Sequence, residues 1–191
     1  QMEHFIIEGQ APLKGTIEPS GNKNEALPAL MSCLLTDEEI ILNNMPKIQD
    51  VKTTCSILME LGVNVEWISD TCLKLHAPKN LTYSIPSQIL CSKIRASILL
   101  LGPLLSRFGK VKLPLPGGDV IGARRIDTHF EAIKALGGNI TLHNQIEASI
   151  THIHGAQIFL DEPSVTATEN TILLAVLAQG TTNIYNAACE P

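Results

Sequence analysis

Three short segments carry residues able to hold an anion. The first is Ser20-Gly21-Asn22-Lys23-Asn24-Glu25, ahead of an Ala/Leu-rich stretch. A small-residue loop that runs into a helix exposes backbone N–H groups and the positive end of the helix dipole. Lys23 adds a full charge there, where a cation opposes the dipole by roughly 0.3–1 kcal/mol. An anionic partner is therefore expected, although a capping turn with a solvated lysine also fits. The loop is not a Walker A, because G-x-x-x-x-G-K-[ST] is absent.

The second segment runs from Pro114 through Gly117-Gly118-Asp119, then Gly122, to Arg124-Arg125. Its glycines suit a mobile, lid-like loop. Two arginines at a helix start again call for an anion, and arginine grips phosphate or carboxylate bidentately. A floppy surface turn is the plainer alternative. The third segment, Asp161 to Thr168, offers Ser164 as an N-cap with acidic residues at the favourable helix end. Arg95 starts a further apolar helix and aligns with Glu25, two residues from Lys23, at an offset of 70. Lys23 and Arg95 are therefore expected to share one cleft.

Repeats supply the elements that position these groups. Val51 to Val65 and Ile126 to Ile140 each read as an amphipathic helix ended by glycine and then a strand, at a shift of 75 between Leu61 and Leu136. A second unit, an Ala/Leu-rich helix followed by a turn and a short strand, runs Ala26 to Pro46, Ala96 to Pro116 and about Glu169 to Cys189. The order is helix A, strand, helix B, strands. The third copy reaches Pro191 where helix B is due, so the chain is expected to be a fragment of a longer protein. Mixed helices and short strands at this spacing predict an α/β (α+β) fold. The nearly all-apolar helices A are expected to pack centrally inside a ring of sheets.

Composition excludes several classes. Of the 191 residues 45% are hydrophobic and 17% charged, which rules out a disordered chain. No apolar run reaches the roughly 18 residues of a membrane span. A net charge of −5 argues against a nucleic-acid or anionic-membrane surface. Five cysteines without a C-x-x-C pair read as reduced thiols of a cytoplasmic protein. His152 and His154 share one strand face but lack a third ligand, so no metal site is expected.

Taken in order, several motifs resemble one family. They are Ser20 to Asn24, Ile94-Arg95-Ala96-Ser97, Gly102-Pro103-Leu104, Leu115 to Gly118, Ile121 to Arg124, Ser164-Val165 with Ala167 to Asn170, and Asn186-Ala187-Ala188. The resemblance is to the bacterial UDP-N-acetylglucosamine 1-carboxyvinyltransferases, over the whole chain but under half of a family member. A shikimate-branch enzyme fits less well, because its loop reads Gly-Ser-Lys-Ser. The resemblance implies an inside-out α/β barrel of three repeats. Residues 1–20 would begin a discontinuous domain shared with a C-terminal half. Residues 21–191 would form an incomplete barrel, with repeats at roughly 21–92, 93–163 and 164–191. The implied reaction moves the enolpyruvyl group of phosphoenolpyruvate to the 3′-hydroxyl of UDP-N-acetylglucosamine, releases phosphate and commits the sugar to peptidoglycan. It implies no metal and no organic cofactor.

Site residues follow from the same resemblance. Lys23 and Arg124 match positions that hold phosphoenolpyruvate and neutralise its charge. Asn24 matches a contact shared by both substrates, and Arg95 an arginine of the pocket. Arg124, Arg125, Ile126, Asp127 and Thr128 match the segment that contacts the UDP-sugar. Ser164 and Val165 match a helix start near the diphosphate, with Glu162 and Pro163 just ahead of them. Asp119 stands where a proton-donating cysteine is usual, which implies insensitivity to fosfomycin. Keeping an aspartate protonated at pH 7 costs on the order of 4 kcal/mol, so Asp119 is expected to act as an acid only when a lid closes over anionic substrates. Glu162 where a basic residue is common, and Thr166 where glycine is usual, leave a second reading open. That reading is a non-catalytic paralogue that binds a UDP-sugar or another phosphate ligand.

Overall fold

The computed structural model describes residues 4–10, 12–118 and 125–189. Helix α1 (Lys23–Ser32) is capped by Asn22, whose side chain accepts from the Asn24 N–H at 2.7 Å. A single 3-10 turn follows. Next come strand β1 (Glu39–Leu42), helix α2 (Gln49–Glu60) and strands β2 (Asn64–Trp67) and β3 (Leu73–His76). The short helix α3 (Gln88–Cys91) leads to a 3-10 segment at Arg95–Leu100 and then to α4 (Leu101–Phe108). Strand β4 (Lys110–Pro114), helix α5 (Asp127–Ala135) and strands β5 (Asn139–Leu142) and β6 (Gln145–Ser149) come after it. Strand β7 (Gln157–Phe159), helix α6 (Val165–Ala175) and strand β8 (Asn183–Tyr185) close the sequence.

The repeated sequence folds into repeated topology. One sheet has the order β1-β3-β2 and the next β4-β6-β5, all pairs antiparallel. In each sheet the last strand inserts between the first two, and the intervening helix (α2 or α5) packs against the strand that follows it (β2 or β5). Gly62 and Gly137, at φ +94° and +102°, end those helices in the left-handed conformation that glycine accepts most readily. Strands β7 and β8 pair in parallel, with α6 between them.

The second Ala/Leu stretch is not one α-helix. An α-helix would bond Gly102 N–H to the Ile98 carbonyl, and here the Asn170 side chain inserts between the two. Gly102 N–H donates to Asn170 Oδ1 at 2.9 Å, and Asn170 Nδ2 donates to the Ile98 carbonyl at 2.8 Å. Pro103 has no N–H to continue the ladder. The chain therefore takes a 3-10 path up to Leu100 and becomes α-helical afterwards. A Cβ on Gly102 would lie 2.8 Å from the Asn170 carbonyl oxygen, so α4 and α6 can approach this closely only with glycine there.

Buried leucines and isoleucines of α1, the 3-10 segment, α4 and α6 form the core beneath the sheets, with Leu30, Ile98, Leu104 and Leu174 fully buried. The expectation that every helix A is central needs correction at α6. Leu173 and Leu174 are buried there, but Ile172 and Val176 are 53% and 63% exposed. Helices α1 and α6 each pack against a helix B, α2 and α5 respectively. No further helix B lies among the described residues to cover the other face of α6.

Two side chains tie the repeats together. Arg107 of α4 donates to the carbonyls of Leu34, Thr36, Ala77 and Pro78 at 2.6–3.2 Å. Tyr83 stacks edge-on against Phe108, and its hydroxyl accepts from the Lys112 N–H of β4 at 2.7 Å. Lys110 Nζ lies 5.4 Å from the Tyr83 ring centroid. Ahead of α1 the described residues carry no helix or strand, and Phe5, Ile6, Ile7, Leu13 and Ile17 are almost fully exposed.

Candidate active site

The beginnings of α1, the Arg95 segment and α6 open onto one cleft. One lobe, of about 220 Å³, is lined by Lys23 and Asn24 of α1, Asp50 of α2, Arg95, and Val165, Thr166 and Glu169 of α6. A second lobe, of about 490 Å³, has Arg95, Val165 and Thr166 as a common wall and adds Arg125, Glu162, Pro163 and Ser164. Arg95 holds the two sides in register, because its Nη2 donates to the Arg125 carbonyl at 2.8 Å. Ser164 caps α6 as its sequence predicts, with its hydroxyl accepting from the Ala167 N–H at 3.3 Å.

The cations do not wait for an external anion. Lys23 Nζ lies 3.2 Å from Asp50 Oδ2, so the unfavourable placement of Lys23 at a helix start is offset within the chain. Arg125 pairs with both Asp127 and Asp161. The Arg125 guanidinium holds the Asp127 carboxyl below its usual range. The Thr128 hydroxyl, donating at 2.8 Å, and then Arg125 do the same for Asp161. Contrary to the sequence expectation, Arg125 at this helix start does not require a ligand anion. Asp127, two residues on, and the sequence-distant Asp161 satisfy Arg125.

The sequence-predicted residues separate into three groups. Lys23, Asn24, Arg95, Arg125, Glu162, Pro163, Ser164 and Val165 line the cleft. Ile126, Asp127 and Thr128 line neither lobe. Ile126 packs on the core, Asp127 holds Arg125, and Thr128, 1% exposed, holds Asp161. Asp119 and Arg124 lie outside the described residues.

The glycine loop departs from a freely swinging lid in its described part. Gly117 N–H donates to the Cys91 carbonyl at 3.2 Å and Gly118 N–H to the Ser92 carbonyl at 3.3 Å. A Cβ on Gly117 would sit 1.6 Å from the Ser92 oxygen, so this glycine serves close approach to the segment that presents Arg95.

Sequence reasoning missed Asp50, Glu169 and His129. Asp50 sits in the first turn of α2 and Glu169 one turn into α6, where an acid reads as ordinary helix dressing. His129 is 1% exposed, between Asn170 and Thr166. Burial, and then the nearby charge of Arg95, push its pKa down to about 4, against a smaller opposing effect of Asp127. No periodicity in the sequence marks it.

Comparison with known proteins agrees with this architecture. Residues 7–191 match the family described as EPSP synthase (3-phosphoshikimate 1-carboxyvinyltransferase), and the chain belongs to that family. Among its relatives, the UDP-N-acetylglucosamine 1-carboxyvinyltransferase of Borreliella burgdorferi is 50% identical over the whole chain, which covers 44% of that protein. The enzyme of the same name from Bradyrhizobium diazoefficiens is 49% identical over 98% of the chain and 43% of its own length. The chain thus spans under half the length of these relatives. In fold it is similar to the enolpyruvyl transferase NikO of Streptomyces tendae, with a TM-score of 0.76 at 18% identity over 90% of this chain and 41% of that one. It is also similar to EPSP synthase of Acinetobacter baumannii, with a TM-score of 0.68 at 16% identity over 93% of this chain and 41% of that one. The fold is the inside-out α/β arrangement of enolpyruvyl transferases.

Proposed function

We propose that these residues form the N-terminal part of an enzyme that transfers the enolpyruvyl group of phosphoenolpyruvate to the 3′-hydroxyl of UDP-N-acetylglucosamine. The sugar oxygen adds to C2 of phosphoenolpyruvate as its hydroxyl proton passes to a general base and C3 takes a proton from an acid. Loss of phosphate and of a C3 proton then restores the double bond. Lys23, Arg95 and Arg124 would neutralise the phosphate, and Asp119 would deliver the C3 proton. Asn24 would contact both reactants, with Arg125 to Thr128 and Ser164-Val165 on the nucleotide side. Ile126, Asp127 and Thr128 would act there by shaping the loop. The observation that carries the reading is the meeting of Lys23 and Arg95, from separate helix starts, in one cleft. The names of relatives at 49–50% identity favour the transferase over a binding module.

Residues 1–20, which include the exposed Phe5, Ile6, Ile7, Leu13 and Ile17, would begin the second domain, with 21–191 forming an incomplete three-repeat unit. Among the described residues no helix is long and apolar enough to cross a membrane, and the five free cysteines suit a cytoplasmic site.

The deciding experiment is phosphate release by the complete protein from phosphoenolpyruvate and UDP-N-acetylglucosamine, alongside calorimetry with the nucleotide. Release supports the transferase, and binding without release supports the module. Asp119→Asn should abolish most turnover, and near-normal turnover would rule out its proton role.

A further inference from the structure

The ring of His129 lies between two polar side chains of α6, with Nδ1 2.9 Å from Asn170 Nδ2 and Nε2 3.2 Å from Thr166 Oγ1. Backbone groups decide where the protons are. Gly102 N–H can only donate and the Ile98 carbonyl can only accept, so the Asn170 amide has a single orientation. Its second amide hydrogen faces His129 Nδ1, which must then be a bare acceptor. A neutral imidazole with a bare Nδ1 carries its hydrogen on Nε2 and donates it to Thr166 Oγ1. Burial at 1% exposure keeps the ring neutral.

A hydroxyl has one hydrogen. With Thr166 Oγ1 accepting from His129, that hydrogen must point away from the ring, and among the described residues no acceptor takes it. Thr166 belongs to the wall common to both lobes, beside Arg95 and Val165. We propose that Thr166 is a specificity-determining hydrogen-bond donor to a phosphoryl oxygen bound between the lobes, and that His129 and Asn170 are positioning residues that aim its hydroxyl. The proposal rests on the transferase reading for the identity of its ligands, since both reactants carry phosphoryl groups.

The test uses the complete protein with Thr166→Val, which removes the hydroxyl at nearly constant volume, and Thr166→Ser, which keeps it. Thr166→Val should raise KM about tenfold or more for one reactant and leave the other within about twofold. Thr166→Ser should restore it. The reactant affected tells whether the phosphoryl group belongs to phosphoenolpyruvate or to the nucleotide diphosphate. Unchanged KM values for both overturn the proposal. Two-bond ¹⁵N–¹H NMR of the His129 ring should show the neutral Nε2–H form, and the Nδ1–H form overturns the relay independently of activity. If the wild type releases no phosphate, the transferase reading fails. The donor role is then still decided by calorimetry of each reactant on wild type and Thr166→Val. A loss of affinity supports it, and equal affinity, or binding of neither compound, overturns it.

Discussion

Lys23, the first residue of α1, lies 3.2 Å from Asp50, in the first turn of α2, at the rim of the cleft. The two helix starts are thereby held together by a lysine that also faces the cavity. Any anion entering must share Lys23 with a carboxylate already in place.

Asp50→Asn should therefore tighten binding of phosphoenolpyruvate by the complete protein, by up to about fivefold, because repulsion is removed and the lysine is released. Unfolding free energy should change by less than about 1 kcal/mol, since both partners are more than a third exposed. Calorimetry and urea titration read the two quantities. A tenfold loss of affinity would show that Asp50 is needed to aim the lysine.

Arg107→Ala should destabilise the fold on the order of 3 kcal/mol, because four carbonyls lose a charged donor at once. Arg107→Lys should recover little, since an ammonium cannot reproduce the planar fork. The midpoint of urea unfolding measures both.

Stability should fall as pH drops from about 6.5 toward 4. Over that window the unfolded chain protonates His129, whereas the folded chain, with its pKa near 4, does not. The full effect is on the order of 3 kcal/mol, present above pH 6.5 and lost by pH 4. Subtracting the pH profile of His129→Gln isolates it from the carboxylates. Identical profiles for wild type and variant would contradict this.

Thiol labelling should be selective. Burial pushes Cys33 up to about 12 and Cys55 and Cys91 to about 11, so none of the three reacts in the native state at pH 8. Exposed Cys189 should react first and half-buried Cys72 more slowly. Mass spectrometry after brief alkylation checks the order, and early labelling of Cys33 would contradict it.

The repeat was legible because helix ends and alternating strands are local properties. Leu61-Gly62 and Leu136-Gly137 mark equivalent helix ends, and the two sheets follow in the same order. The convergence of Lys23 and Arg95 was legible only through the repeat, since equivalent helix starts face alike. What stayed hidden depends on partners distant in sequence. Nothing near Gly102 announces that the amide of Asn170 interrupts its helix, and nothing near Arg125 announces Asp161. The glycine at 117 looked like flexibility because sequence carries no record of the Ser92 backbone lying against it.

Tyr83 has an effect beyond holding two repeats in contact. Strand β4 is an outer strand of its sheet, and a bare outer strand invites a foreign chain to add itself. The phenol oxygen already occupies one amide of that rim, with a lysine laid over the ring. That edge is thereby blunted against runaway growth, and Tyr83→Ala should leave a protein that precipitates sooner than it loses its shape.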